Sequence, residues 1–373
     1  MKIIKKIHTN GYRKKTQRNL VSKLKRMRFN ARNESWEIQE LKSLCVLYKK
    51  HIKAKSNLAK SLIKNGRKVI LPAPVSIDYY QAPNYRTTNL FLSNITDCIV
   101  RAKRRVFIDF SATELISAAA MLSFLAQIET LVSMKHVQGN TPISFSHPKS
   151  KKVKSILNQV GFYNLLNKPV GKVEEFEDVN FWHHTSGLCA DPSKARPMLD
   201  AISHEIKTEY SKKLYRGFIE AMANSVEHAY PTSGSCNKWW TFAGVKDETL
   251  IVVICDKGVG IPETLPHTQP ASILSALLLK FNANFNQVKD SAYIQAATSL
   301  QKSSTHKKHR GKGLQDVMSV IRSTGTGYLS IFSNKGRYKY MGEKKALKES
   351  INDYTTSVNG TIIEWSIPLV VER

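Results

Sequence analysis

Glu220-Ala-Met-Ala-Asn224-Ser-Val-Glu-His228-Ala-Tyr230 is the stretch on which the reading of the fold turns. Glu220, Asn224 and His228 recur every four residues, so on a helix they share one face, while Phe218, Ile219, Met222 and Val226 turn largely elsewhere. A polar stripe on an otherwise apolar helix marks a site. Downstream, Leu250-Ile-Val-Val-Ile-Cys-Asp256-Lys-Gly258-Val-Gly260-Ile261-Pro262 is an apolar run of strand length that ends in a carboxylate and two glycines one residue apart. Such a strand delivers Asp256 to a pocket, and the glycines let backbone approach a ligand closely. His309-Arg310-Gly311-Lys312-Gly313-Leu314 comes third and opens a segment, Gln315 to Arg322, whose apolar spacing predicts a helix. Gly-Lys-Gly at a helix start offers free backbone N–H groups to phosphate. In this order the three pieces predict a nucleotide pocket.

Each piece alone is weak. A lone Asp-x-Gly-x-Gly is an ordinary turn, and Gly311-Lys312-Gly313 lacks the Gly-x4-Gly-Lys-Ser/Thr pattern of a P-loop. The ordered set is more specific once Gly360-Thr361-Ile-Ile-Glu-Trp-Ser-Ile-Pro368 is added to it. It resembles the GHKL, or Bergerat-fold, ATPases, the superfamily of gyrase-type topoisomerases, mismatch-repair ATPases, sensor histidine kinases and anti-sigma-factor serine kinases. The resemblance runs from Pro197 to Pro368, about half the chain. It implies ATP and Mg²⁺ as cofactors. Asn224 would ligate the magnesium and Glu220 would activate the attacking hydroxyl or water, with His228 on the same stripe. Asp256 would recognise the adenine amino group, with Gly258, Gly260 and Ile261 shaping the adenine pocket. Arg310, Gly311, Lys312, Gly313 and Leu314 would close over the phosphates, and Thr361 would lie near the adenine end. The chemistry is consistent with these roles: Mg²⁺ prefers hard oxygen ligands and can share one amide oxygen with phosphates and water. A carboxylate near the γ-phosphate can accept or orient a proton.

Ser203-His204-Glu205 looks like the phospho-acceptor box of a histidine kinase, but it lacks the usual proline and lies only twenty positions before Asn224. Lys194 to Tyr210 is instead expected to form the first helix of the ATPase domain. The presence of Glu220 favours the hydrolase and serine-kinase branches, whose chemistry needs a general base. In the family the region corresponding to Pro262–Arg310 is the ATP lid. Here helices are expected over Ala271–Lys280 and Ser291–Leu300, followed by a basic loop from Lys302 to Arg310.

The preceding half has a different rhythm. Arg105 to Phe110 reads as a buried strand, Ser117 to Val132 as a helix, Pro142 to Ser146 as a strand and Lys151 to Leu166 as a second helix. Strands alternating with helices predict a mainly parallel sheet covered by helices. Ile108 to Ala120, and Val153 to Phe162, resemble STAS domains, the fold of anti-sigma-factor antagonists. The Asp-Ser-x-Gly acceptor turn of that fold stands here as Ser117-Ala118-Ala119-Ala120, which argues against a phosphorylation relay and leaves Asp109 and Ser117 as strand-end and helix-cap residues. The expected fold class is α/β: a STAS-like α/β domain followed by a Bergerat-fold α/β sandwich, a mixed sheet covered by helices. The expected divisions are a basic, largely helical segment at 1–72, the STAS-like domain at 73–172, a linker at 173–196 and the ATP-binding domain at 197–373.

Charge is unevenly placed. Residues 1–68 hold 21 Lys and Arg against three Glu and so carry 18 of the 28 excess positive charges. Nucleic acid is the leading expected partner of this segment, bound through counterion release with little sequence preference. Tyr12, Phe29 and Trp36 are available to stack on bases. An acidic protein or an anionic membrane surface is the alternative, and a solvated arm of no specific role is the third. No uncharged apolar stretch reaches transmembrane length, and no signal peptide opens the chain, so a cytoplasmic protein is expected. The five cysteines show no Cys-x2-Cys pairing, which suits reduced thiols. The function expected is an ATP-dependent regulatory switch or ATPase whose lid couples nucleotide state to the N-terminal half. The alternatives are an anti-sigma-type serine/threonine kinase acting on a STAS-like or transcription-related partner, and a nucleic-acid-binding module whose ATP site only sets conformation. A protein partner for the STAS-like half is expected, and homodimerisation by analogy.

Overall fold

The computed structural model of the protein describes residues 68–101, 104–133, 142–168, 174, 176, 179–231, 237–281, 288–300, 313–343 and 346–369. In its first stretch the elements are β1 (Lys68–Pro72), β2 (Ser76–Ile77), α1 (Ala82–Thr96), β3 (Arg105–Asp109), β4 (Leu115–Ile116), α2 (Ala118–Ser133), β5 (Ile143–Phe145), α3 (Lys151–Gln159) and α4 (Phe162–Leu165). They are followed by β6 (Val179–Gly187), α5 (Arg196–Glu205), α6 (Thr208–Glu227), β7 (Trp239–Lys246), β8 (Thr249–Asp256), α7 (Ile261–Thr268), α8 (Ala271–Lys280) and α9 (Asp290–Ser299). The chain closes with α10 (Leu314–Thr324), β9 (Tyr328–Ser333), β10 (Gly336–Glu343), β11 (Ala346–Asp353) and β12 (Thr361–Pro368). The described residues form two compact units that do not follow sequence order: 68–75, 90–114 and 128–149 in one, and the remainder in the other.

The first unit is built on a parallel sheet in the order β1-β3-β5, as the alternation of strands and helices predicts. Val106 and Ile108 are fully buried while Arg105, Phe107 and Asp109 alternate outward, the period-two pattern of a strand. Asp109 accepts hydrogen bonds from Ser146 Oγ at 2.6 Å and from the Ser111 amide at 3.0 Å. The Ser146 bond, foremost, holds its carboxyl below the usual range, and the residue serves as a strand-end fastener.

The second unit contains the short parallel pair β2-β4 and a seven-stranded sheet in the order β11-β10-β9-β12-β8-β7-β6, antiparallel at every pairing rather than the mixed sheet expected. The last strand in sequence, β12, sits near the centre, paired with β8 on one side and β9 on the other. Helices α5, α6 and α10 pack on one face of this sheet. Phe218, Met222, Val317, Ile321, Ile254, Ile363 and Trp365 share one core there, and the Trp365 indole N–H donates to the Val317 carbonyl at 2.8 Å. Alternate residues of the strands turn to the other face, where Glu364 is fully buried and accepts from the hydroxyls of Tyr80 at 2.6 Å and Tyr328 at 3.1 Å. Burial pushes the Glu364 carboxyl above its ordinary value. Tyr79 and Tyr85 pack against Phe332 on the same side, so residues 76–89 are part of this unit's core.

Several local expectations need correction. The helix expected over Lys194–Tyr210 is broken: α5 ends at Glu205, Ile206 is extended at φ −131° and ψ 158°, and α6 starts at Thr208. In that extended conformation Ile206, partly buried, packs against the core. The helix expected over Lys151–Leu166 divides at Gly161, whose φ of +78° is left-handed. Ser117 caps nothing with its side chain, since its buried hydroxyl has no hydrogen-bond partner among the described residues. The proline-bearing segment after Pro262 forms α7, with Pro262 in the first turn, where a missing N–H is tolerated. The helices expected at 271–280 and 291–300 are α8 and α9. No helix among the described residues is long and apolar enough to cross a membrane, and Cys98, Cys189 and Cys255 are free thiols.

Candidate functional site

Helix α6 buries Leu214, Phe218, Ala221, Met222 and Ser225, an apolar face at helical spacing. The register set by that face brings Asn224, Ser225 and His228 to a cavity of about 150 Å³. The His228 amide still donates to the Asn224 carbonyl at 3.0 Å, so the polar stripe continues one residue past the helix end. Strand β8 is apolar to its last residue and ends with Asp256 in the same cavity.

Asp256 is 5% exposed. Its Oδ1 accepts backbone N–H groups from Gly258 at 2.9 Å and Thr361 at 3.2 Å. Its Oδ2 has the Ser225 hydroxyl at 3.4 Å. Burial pushes the carboxyl up to about 6, opposed by those two amides, by the Lys257 charge and by Ser225. One oxygen is therefore anchored by backbone while the other has a single long contact. A buried carboxylate so arranged is an acceptor waiting for a donor.

The turn after Asp256 is closely fitted. Val259 N–H donates to the Ala229 carbonyl at 2.8 Å, and a Cβ on Gly258 would overlap that same carbonyl oxygen. Only glycine permits this approach. Asn334 Nδ2 donates to the Val259 carbonyl at 2.8 Å, and the Ile261 amide donates to Ser333 Oγ at 2.8 Å. Ser333 Oγ also lies 3.0 Å from Thr361 Oγ1. Tyr230 donates to the Lys238 carbonyl at 2.6 Å and accepts from the Lys257 amide at 3.0 Å. The start of α10 supplies Gly313 and Leu314 to the cavity wall. A helix N-terminus there presents amide N–H groups suited to an anion.

The structure brings together Asn224, His228, Asp256, Gly260, Ile261, Gly313, Leu314 and Thr361, residues as far apart as 137 positions in sequence, around one cavity. Gly258 binds Asp256 without lining it. Glu220 lies one turn before Asn224 on α6, half-buried, and is not part of the lining. Arg310, Gly311 and Lys312 lie outside the described residues, as do residues 1–67 and the basic loop from Lys302 to Arg310. Residues not foreseen also line the cavity: Ser225, Thr264, Thr268 and Gln269, with Ala297 and Leu300. Ser225 had a signal, a small polar residue on the buried side of an amphipathic helix next to Asn224. The others come from α7 and α9 and the residue that follows each, and these helices with α8 form a small separate core of Leu265, Leu274, Leu278, Ala292 and Ala296. Among the described residues no group of three or more His, Cys, Asp or Glu could hold a metal alone. Any hard cation here would share the ligand's own oxygens, with Asn224 contributing an amide oxygen.

Neither a scan against protein-family models nor a search of curated proteins finds a match to this chain.

Proposed function

We propose that the protein is an ATP-binding regulatory protein of the GHKL type, a Mg-ATP-dependent switch or ATPase. The observation that carries this reading is Asp256: a buried carboxylate at a strand end, fixed through one oxygen by the Gly258 and Thr361 amides, in a cavity shared with Asn224 and the start of α10. The residues fit the group. The Asp256 carboxylate suits the exocyclic amine of adenine, while Ile261, Leu265, Ala297 and Leu300 give the ring an apolar wall. Gly313 and Leu314 offer helix N-terminal amides toward phosphate, and Asn224 offers a hard oxygen for magnesium. Bound Mg²⁺ would supply charge neutralisation on the phosphates. Glu220, one helical turn from Asn224, is the group that would hold or orient the proton of the attacking water through its carboxylate oxygens.

In this reading the seven-stranded unit is a Bergerat-type domain and the parallel sheet belongs to a STAS-like half that takes a protein partner. The basic residues 1–68 take a polyanion, nucleic acid first, and the protein works in the cytoplasm, with homodimerisation by analogy. Helices α7 to α9, with their own small core, act as the lid.

The test is the fate of γ-labelled phosphate when the full-length protein meets Mg-ATP, with and without nucleic acid, beside Glu220→Ala. Free phosphate lost in the variant supports an ATPase. Label retained on protein moves the reading to a serine/threonine kinase. No binding of Mg-ATP ends it.

A further inference from the structure

Behind Asp256 lies a ring of hydrogen bonds that the function proposed above leaves unused. Lys257 Nζ donates to Ser123 Oγ at 2.7 Å and to the Val358 carbonyl at 3.1 Å. Ser123 is fully buried in α2. The Tyr79 hydroxyl sits 3.1 Å from Ser123 Oγ and 3.1 Å from Asn89 Oδ1. Asn89 Nδ2 reaches Thr356 Oγ1 at 3.4 Å, two residues before Val358, and the ring closes. Every member belongs to the second compact unit.

Both arms of this ring lead to the cavity floor. Lys257 follows Asp256 directly, and its own backbone N–H is held by Tyr230. Residues 356–358 lead into Gly360-Thr361, and the Thr361 amide is one of the two that anchor Asp256 Oδ1. The Lys257 ammonium is buried with neutral partners, a hydroxyl and a carbonyl, and burial lowers its proton affinity. The Asp256 charge opposes that effect, so the ammonium is stabilised by the carboxylate it follows as well as by these two hydrogen bonds. Ser123 does not line the cavity, yet it fixes the side chain that fixes both approaches to Asp256.

We propose that Lys257 is a positioning residue for Asp256, held in place by Ser123, and that cavity occupancy and the hold of residues 76–89 and 115–127 on the sheet are thereby coupled. The first part is independent of the ligand. The second rests on the Mg-ATP reading and follows from reciprocity: whatever ordering of the Asp256 turn favours the ligand, the ligand returns to the ring.

The experiment is amide hydrogen exchange on full-length wild type, Ser123→Ala and Ser123→Ala/Lys257→Met. The double variant replaces both partners of the Ser123–Lys257 bond with apolar groups and strands no buried charge, leaving only the Val358 carbonyl without its donor. Without ligand, amides in 257–261 and 358–362 should exchange about tenfold or more faster in both variants, with α6 and α10 unchanged. Unchanged exchange at 257–261, or acceleration spread equally over α6 and α10 in both variants, overturns the positioning role. With Mg-ATP, wild type should gain protection at 76–89 and 115–127, and the variants should lose it and bind about tenfold more weakly. Equal affinity and equal protection in all three proteins overturns the coupling. A wild type that does not bind Mg-ATP overturns the proposed ligand and the coupling built on it, while the ligand-free exchange still decides the role of Lys257.

Discussion

Asp256 carries opposing demands at the scale of single residues. Its native carboxyl keeps its proton up to about pH 6, against an ordinary 3.8, so ionising it costs the folded state as pH rises through that interval. The cost is absent below about pH 4 and full above about pH 6, on the order of 3 kcal/mol. Asp256→Asn keeps an oxygen for the Gly258 and Thr361 amides and removes the charge. Calorimetric melting should therefore show the variant several degrees more stable than wild type at pH 7.5 and indistinguishable from it near pH 4. Gly258→Ala acts the opposite way, forcing a methyl against the Ala229 carbonyl; urea unfolding should record a loss of about 1–3 kcal/mol. At this scale much was legible. The four-residue spacing of Asn224 and His228 and the apolar run ending at Asp256 are local patterns, and all three residues reach the cavity. The Thr361 amide as an anchor for Asp256 was not legible, because a backbone N–H carries no sequence signature.

Elements follow the same division between local and distant information. The apolar run of β8 and the helical spacing of α10 announce themselves in sequence, while the insertion of β12 between β8 and β9 depends on its pairing with β8 across more than 100 residues. The break at Ile206 has no local signature, because helical propensity favours continuity through a residue that instead packs, extended, against the core. The β7–β8 hairpin illustrates a local rule met with unfavourable residues. Lys246 pairs with Thr249 across a two-residue loop, and Asp247 and Glu248 both adopt positive φ, at 48° and 55°. That is the type I′ geometry, which Asn-Gly fits best. The double substitution Asp247→Asn/Glu248→Gly should raise stability by about 1 kcal/mol in urea unfolding, without altering ligand binding.

Charge is the feature of the whole molecule that composition states openly. If residues 1–68 bind nucleic acid, the logarithm of affinity should fall linearly with the logarithm of salt concentration. Replacing four of their lysines with glutamine should flatten that slope and weaken binding alike on unrelated sequences, as fluorescence anisotropy would record. The assembly of the second unit from 76–89, 115–127 and the residues after 150 was hidden from sequence reading. Tyr80 with Glu364 and Ser123 with Lys257 are pairs more than 130 positions apart that belong to no motif.

The most direct measurement is calorimetric titration of Mg-ATP into wild type and Asp256→Asn. In the variant the Gly258 and Thr361 amides keep the side-chain oxygen, so its NH₂ takes the place of Oδ2 and meets the adenine amine donor to donor. The account predicts binding by wild type and a loss of about ten- to a hundredfold in the variant. Equal affinity in the two proteins, or no binding by wild type, would contradict it.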